Sequence, residues 1–74
     1  MSYDTAMKMM GDIRKSKHVT LRELGEKAGI SPTRLCRIES GERVVSSIDE
    51  LATIFDTLEL SKEERRQLVD ELTK

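Results

Sequence analysis

Apolar residues return every three or four positions in five stretches of this chain, each bracketed by polar start or stop signals. In the first, Tyr3, Ala6, Met10 and Ile13 keep helical spacing, with Gly11 as a weak point costing about 1 kcal/mol relative to alanine. Thr20 followed by Glu23 is a capping box, which predicts a helix from Leu21 carrying Leu24 and Ala28 and stopped by Gly29. Ser31 before Pro32 is an N-cap with proline at the first helical position, and the helix it opens carries Leu35 and Ile38 and ends at Gly41. Ser47 with Glu50 reads as a second capping box, ahead of Leu51, Ile54, Phe55 and Leu58. Ser61 with Glu64 reads as a third, ahead of Leu68, Val69 and Leu72. The expectation is an all-α, compact five-helix bundle with no repeat, linker or low-complexity tract.

Composition narrows this further. Seventy-four residues make one domain, spanning 1–74, near the low end of what folds alone. With one Tyr, one Phe and no Trp, the core must be Leu, Ile, Val, Met and Ala, with Met7, Met9 and Met10 as core filler. One cysteine and one histidine exclude an internal disulfide and a metal cluster, and no cofactor is implied. No apolar run approaches the ~20 residues that cross a bilayer, so no membrane is expected. The opening residues are too polar and acidic for a secretory signal, and a reducing cytoplasm is the expected compartment. With no nucleophile–histidine pair, no phosphate loop and no metal set, the chain does not read as an enzyme.

The two central helices are separated only by Gly29, Ile30 and Ser31, a spacing that sets a helix-turn-helix corner over about 20–41. Gly25 is small enough to let the second helix cross close to the first. At about 100° per residue, Leu35 and Ile38 share one face of the second helix, while Thr33, Arg37 and Ser40 lie opposite. Arg34 falls on one flank and Cys36, a small residue of ordinary reactivity, on the other. Glu39 sits at the edge of the core face, about 40° from Leu35.

The formal charge of −1 hides a segregation that bears on what this helix faces. Residues 14–43 carry eight basic against four acidic side chains, whereas residues 44–74 carry four basic against eight acidic ones. Only the local field meets a phosphate, so a basic face survives in an acidic protein. An outward arginine can donate bidentately to guanine or to phosphate oxygens. Backbone N–H groups at the helix starts near Thr20 and Ser31 add phosphate anchors. Arg22 and Arg43 are candidate phosphate contacts or solvated surface, and Arg34 is either a phosphate contact or the partner of a glutamate. His18 reads as a turn residue before a helix.

The stretch "VTLRELGEKAGISPTRLCRIESGERV" with "SSIDELATIFDTLEL" resembles the helix-turn-helix domain of phage repressors, Cro proteins and XRE-type regulators, from about Met10 to Leu60. The resemblance implies double-stranded DNA as partner, with Pro32, Thr33 and Arg37 approaching bases. It implies that Ser40 and Arg43 contact backbone phosphates just past the recognition helix. It also implies a buried ion pair between Arg14 and Glu39, tying the first helix to the recognition helix. The chain departs from the pattern at Leu21 and Pro32, where glutamine is common, and in the Gly41–Ser47 loop, which carries Val44 and Val45.

Three functions from different classes fit these residues. The first is a sequence-specific DNA-binding transcriptional regulator, a repressor acting as a homodimer on a near-palindromic operator with helix 32–40 in the major groove. The second is an antitoxin that binds DNA in the same way and covers a toxin with its acidic C-terminal half (about 62–72 for its last helix). The third is a helix-turn-helix used only to dock another protein or regulator. The basic 14–43 segment favours the first two. For the dimer, two contacts compete: Val44 with Val45, and the stripe of Leu68, Val69 and Leu72, which equally well closes the core of the monomer.

Overall fold

Helix caps made by side chains three residues apart set most of the element ends. The computed structural model describes residues 2–73, with five helices: α1 (Ser2–Ser16), α2 (Leu21–Ala28), α3 (Pro32–Ser40), α4 (Ile48–Leu58) and α5 (Lys62–Thr73). No strand occurs among the described residues. The Thr20 hydroxyl accepts from the Glu23 N–H at 3.0 Å, and the Thr20 N–H donates back to the Glu23 carboxylate at 3.3 Å. Ser61 and Glu64 make the same reciprocal pair at 3.1 and 2.9 Å. Ser31 accepts from the Arg34 N–H at 3.1 Å and Pro32 opens α3. Gly29 ends α2 at φ 72°, in the left-handed region that costs glycine nothing.

The box expected at Ser47 and Glu50 is only half made. The Ser47 hydroxyl accepts from the Glu50 N–H at 3.1 Å, but the Glu50 carboxylate does not return to Ser47. It accepts instead from the Ser46 N–H at 2.7 Å and from both Nε and Nη2 of Arg34, at 3.3 and 2.9 Å. A guanidinium offers two donors to one carboxylate, and that outcompetes a single backbone N–H.

Packing follows the apolar stripes. α1 lies against α5 and α3, and α2 against α3 and α4. Ala6, Met7, Met10, Leu24, Leu35, Ile38, Ile54, Phe55, Leu58 and Leu68 form the buried cluster. The radius of gyration is 11.0 Å, close to the ~11 Å of a folded chain this long. Lys17 joins the end of α1 to the α4–α5 turn, donating to the Glu59 carbonyl at 3.4 Å and pairing with Glu64 at 3.1 Å. The Ser61 N–H and the Lys17 ammonium together hold the Glu64 carboxyl below the usual carboxylate range.

Gly25 sets the corner between α2 and α3, lying against the Ile30 carbonyl of the turn and, next to it, Pro32 at the start of α3. Its carbonyl accepts from the N–H groups of both Gly29 and Ile30, at 2.8 and 3.0 Å. A Cβ at this position would stand 2.4 Å from the Ile30 carbonyl oxygen, which is backbone and cannot step aside. Gly25→Ala should therefore destabilise the fold by about 1–3 kcal/mol despite alanine's better helix propensity, measured as a lowered urea midpoint with unchanged slope. A variant as stable as the parent would show that the corner has slack.

Candidate nucleic-acid interface

α3 turns two chemically different faces to its surroundings. Leu35 and Ile38 point inward and are fully buried, while Pro32, Thr33, Cys36, Arg37 and Ser40 are exposed. Cys36 is thus more open than a flank position suggests, and it is a free thiol.

What holds this helix in place is an ion pair beneath it. Arg14 of α1 donates from Nε and Nη2 to the two carboxylate oxygens of Glu39, at 2.7 and 3.1 Å, and from Nη1 to the Val19 carbonyl at 2.7 Å. The two side chains are only 8% and 12% exposed. The hydrogen bonds to Glu39 raise the Arg14 pKa above its ordinary value, against the opposing effect of burial. Gly11 lies under the same carboxylate: a Cβ there would meet a Glu39 oxygen at 2.8 Å. Its place in α1 is explained by this close approach, which its low helix propensity alone does not suggest.

The arginines of the basic segment divide into three situations. Arg34 is committed to Glu50, which raises its pKa and lowers that of Glu50. Of the two uses open to it, the glutamate pair is formed here, and the guanidinium braces the loop ahead of α4 because Glu50 lies within reach of the α3 flank. Arg22 meets Glu26 one turn along α2 at 3.7 Å, with both side chains well exposed, so the pair holds it only weakly. Arg37 meets Glu42 at 3.3 Å through Nε, in an exposed pair, and neither terminal nitrogen of its fork donates a hydrogen bond among the described residues. Arg43 has no side-chain partner among the described residues, and its backbone N–H donates to the Arg37 carbonyl at 3.1 Å. Ser40 donates its hydroxyl to the same carbonyl at 3.0 Å.

Two shallow hollows flank Arg37 on this face. One is lined by Ser31, Thr33, Arg34, Arg37 and Arg43 and is basic. The other is lined by Leu21, Pro32, Thr33, Cys36, Arg37 and Glu42 and is largely apolar. Thr20 and Ser31, at the starts of α2 and α3, are exposed near this surface, each accepting from an N–H of its own first turn.

The residues weighed for self-association separate. Leu68 is fully buried, so it closes the core and is not open to a partner. Val45 is half-buried and its N–H donates to the Tyr3 hydroxyl at 3.1 Å, which draws it onto the body of the protein. Val44 and Val69 stay exposed, at 67% and 44%. Val69 and Leu72 border a hollow between α4 and α5 whose other walls are Ile48, Leu51, Ala52, Phe55 and Arg65. Ile48, 84% exposed, keeps helical spacing with Leu51, Ala52 and Phe55 and extends their stripe to the first residue of α4, where no helix covers it. The Arg65 guanidinium lies 5.9 Å from the centre of the Phe55 ring and also reaches Asp56 at 3.1 Å.

No grouping of three or more metal-ligating side chains occurs among the described residues, and no helix is long and apolar enough to cross a membrane. No curated protein and no solved structure matches the chain. A family model described as a helix-turn-helix domain matches residues 11–68, which takes in the Arg14–Glu39 pair, the α2–α3 corner and α5 as far as Leu68. With the corner, its glycine and the outward arginine fork in place, this chain belongs to the helix-turn-helix domain family of DNA-binding proteins.

Proposed function

We propose that the protein is a sequence-specific transcriptional regulator, a repressor that lays α3 in the major groove and acts as a homodimer on a near-palindromic operator. The observation that carries this reading is the outer face of α3. Arg37 presents a fork whose terminal nitrogens donate no hydrogen bond among the described residues, between Thr33 and Ser40 and beside Arg43, whose guanidinium has no partner among them. An arginine so held donates bidentately to the O6 and N7 of guanine, and its neighbours reach the flanking phosphates. The first N–H groups of α2 and α3, near Thr20 and Ser31, and the long side chain of Arg22 are phosphate anchors on the same side.

One such helix reads only a few base pairs, so specificity calls for two, with half-sites about 34 Å apart. The hollow walled by Ile48, Phe55, Val69 and Leu72 supports a second copy as its cover, because the exposed apolar residues Ile48 and Val69 meet there on α4 and α5 and not on α3. The same cluster favours a second reading, an antitoxin whose acidic C-terminal half covers a toxin. A dimer mass for the purified chain at micromolar concentration supports the first reading, whereas a monomer that gains a partner only from its own operon supports the second.

Arg37→Ala should weaken binding to a duplex selected from a random pool by about 1–3 kcal/mol and relax the preference at one base pair per half-site. Equal losses on selected and scrambled duplexes, read by fluorescence anisotropy at fixed salt, would assign Arg37 to phosphate alone. Failure of the parent protein to select any duplex would overturn the proposal.

A further inference from the structure

The apolar hollow beside Arg37 lies on the surface that the proposed function turns toward base edges, yet Leu21 and Pro32 have no side-chain donor or acceptor. Leu21 is half-buried at the start of α2, and Pro32, Thr33 and Cys36 are exposed on α3. Together they offer methyl, methylene and sulfur surface toward the outside. The hollow's polar members are the Thr33 hydroxyl, Arg37 and Glu42, whose carboxylate lies 3.3 Å from the Arg37 Nε.

Hydrogen-bonding readout needs polar groups opposite the base edge, and the wall made by Leu21 and Pro32 supplies none. Pressed against the amino group of adenine or cytosine, such a wall strips water from a donor and gives nothing back. The one major-groove feature it complements is the 5-methyl group of a pyrimidine. We infer that the hollow formed by Leu21, Pro32, Thr33 and Cys36 is a subsite for a pyrimidine 5-methyl group, next to the guanine gripped by Arg37. The inference rests on the DNA-reading function proposed above and adds the chemistry of a second base to it. The methyl group has two sources in DNA, thymine and 5-methylcytosine, which share this contact and differ at the 4-position.

The test uses duplexes selected by the full chain from a random 24-base-pair pool, resynthesised with 2′-deoxyuridine in place of each thymine in turn. Removing one methyl at the position beside the guanine identified with Arg37→Ala should weaken binding about fourfold, the value of one buried methyl group, and uracil elsewhere should have no effect. Pro32→Gln, at an exposed site where folding is not at stake, should bring the thymine-to-uracil ratio at that position to about one, and Leu21→Gln should do the same. A second arm places cytosine and 5-methylcytosine at the same position. Recovery with 5-methylcytosine supports the methyl subsite for either base, and recovery with thymine alone supports it with thymine as the occupant. Equal binding of thymine and uracil at every position overturns the inference and leaves the regulator reading standing. If neither the thymine pool nor an all-uracil pool yields a bound duplex, the DNA-reading function fails and the subsite with it.

Discussion

Replacing Glu39 with alanine should cost the protein about 3–5 kcal/mol, most of what holds a chain of this size folded. The cost comes from what is left behind more than from the bonds removed. Arg14 is a buried guanidinium whose Nε and Nη2 both donate to Glu39, with Nη1 satisfied by the Val19 carbonyl. Without the carboxylate, two charged donors remain in a site that water scarcely enters. Arg14→Ala should be as damaging, since it leaves the Glu39 carboxylate beside Gly11 with no cation and the Val19 carbonyl without its donor. The double variant Arg14→Met with Glu39→Leu should recover much of the loss, because two apolar side chains of similar length carry no stranded charge. Urea denaturation of the four proteins completes the cycle. A single-variant loss below about 1 kcal/mol would mean that the pair behaves as an exposed one. DNA affinity is expected to track folding in this series, because the pair fixes where α3 stands on α1 and touches neither hollow beside Arg37.

Leu68→Ala should lower stability by about 2–5 kcal/mol and leave self-association unchanged at concentrations where the variant is folded. Leu68 has no exposed surface and sits in the core, on a helix that packs chiefly against α1. The spread reflects how far α1 and α5 can close over the space left by the side chain. Val69→Ala, one residue on, is expected to change stability by no more than about 0.5 kcal/mol, because it is a surface substitution. Its effect should appear instead in the mass measured by sedimentation as the concentration is lowered. The two variants separate roles that a deletion of residues 61–74 would confound, since that deletion also removes the Ser61–Glu64 cap and the Glu64 partner of Lys17. A stable, fully folded Leu68→Ala protein would show that α5 is an appendage and not part of the core.

The sequence by itself determined where the helices begin and most of where they end, and with them the corner that defines the family. Capping by Thr20, Ser31 and Ser61 and the stop at Gly29 depend on groups at most four residues apart, so the chain carries the full interaction in a few letters. The two faces of α3 were legible for the same reason, since a helical period places Leu35 and Ile38 opposite Arg37 whatever surrounds them. The Arg14–Glu39 contact spans 25 positions and was anticipated only through resemblance, with the edge position of Glu39 in agreement. Tertiary structure alone decided the rest. Arg34 finds its glutamate in Glu50, sixteen residues away, and the pair takes the second half of a cap with it. Leu68, Val69 and Leu72 looked equivalent on their stripe, yet only Leu68 is fully covered. His18 and Glu59 hold left-handed conformations, at φ 60° and 52°, that nothing in their side chains demands. Periodicity tells which side of a helix is apolar, but which neighbour covers it, and which of two partners an arginine takes, is settled by how the helices pack in space.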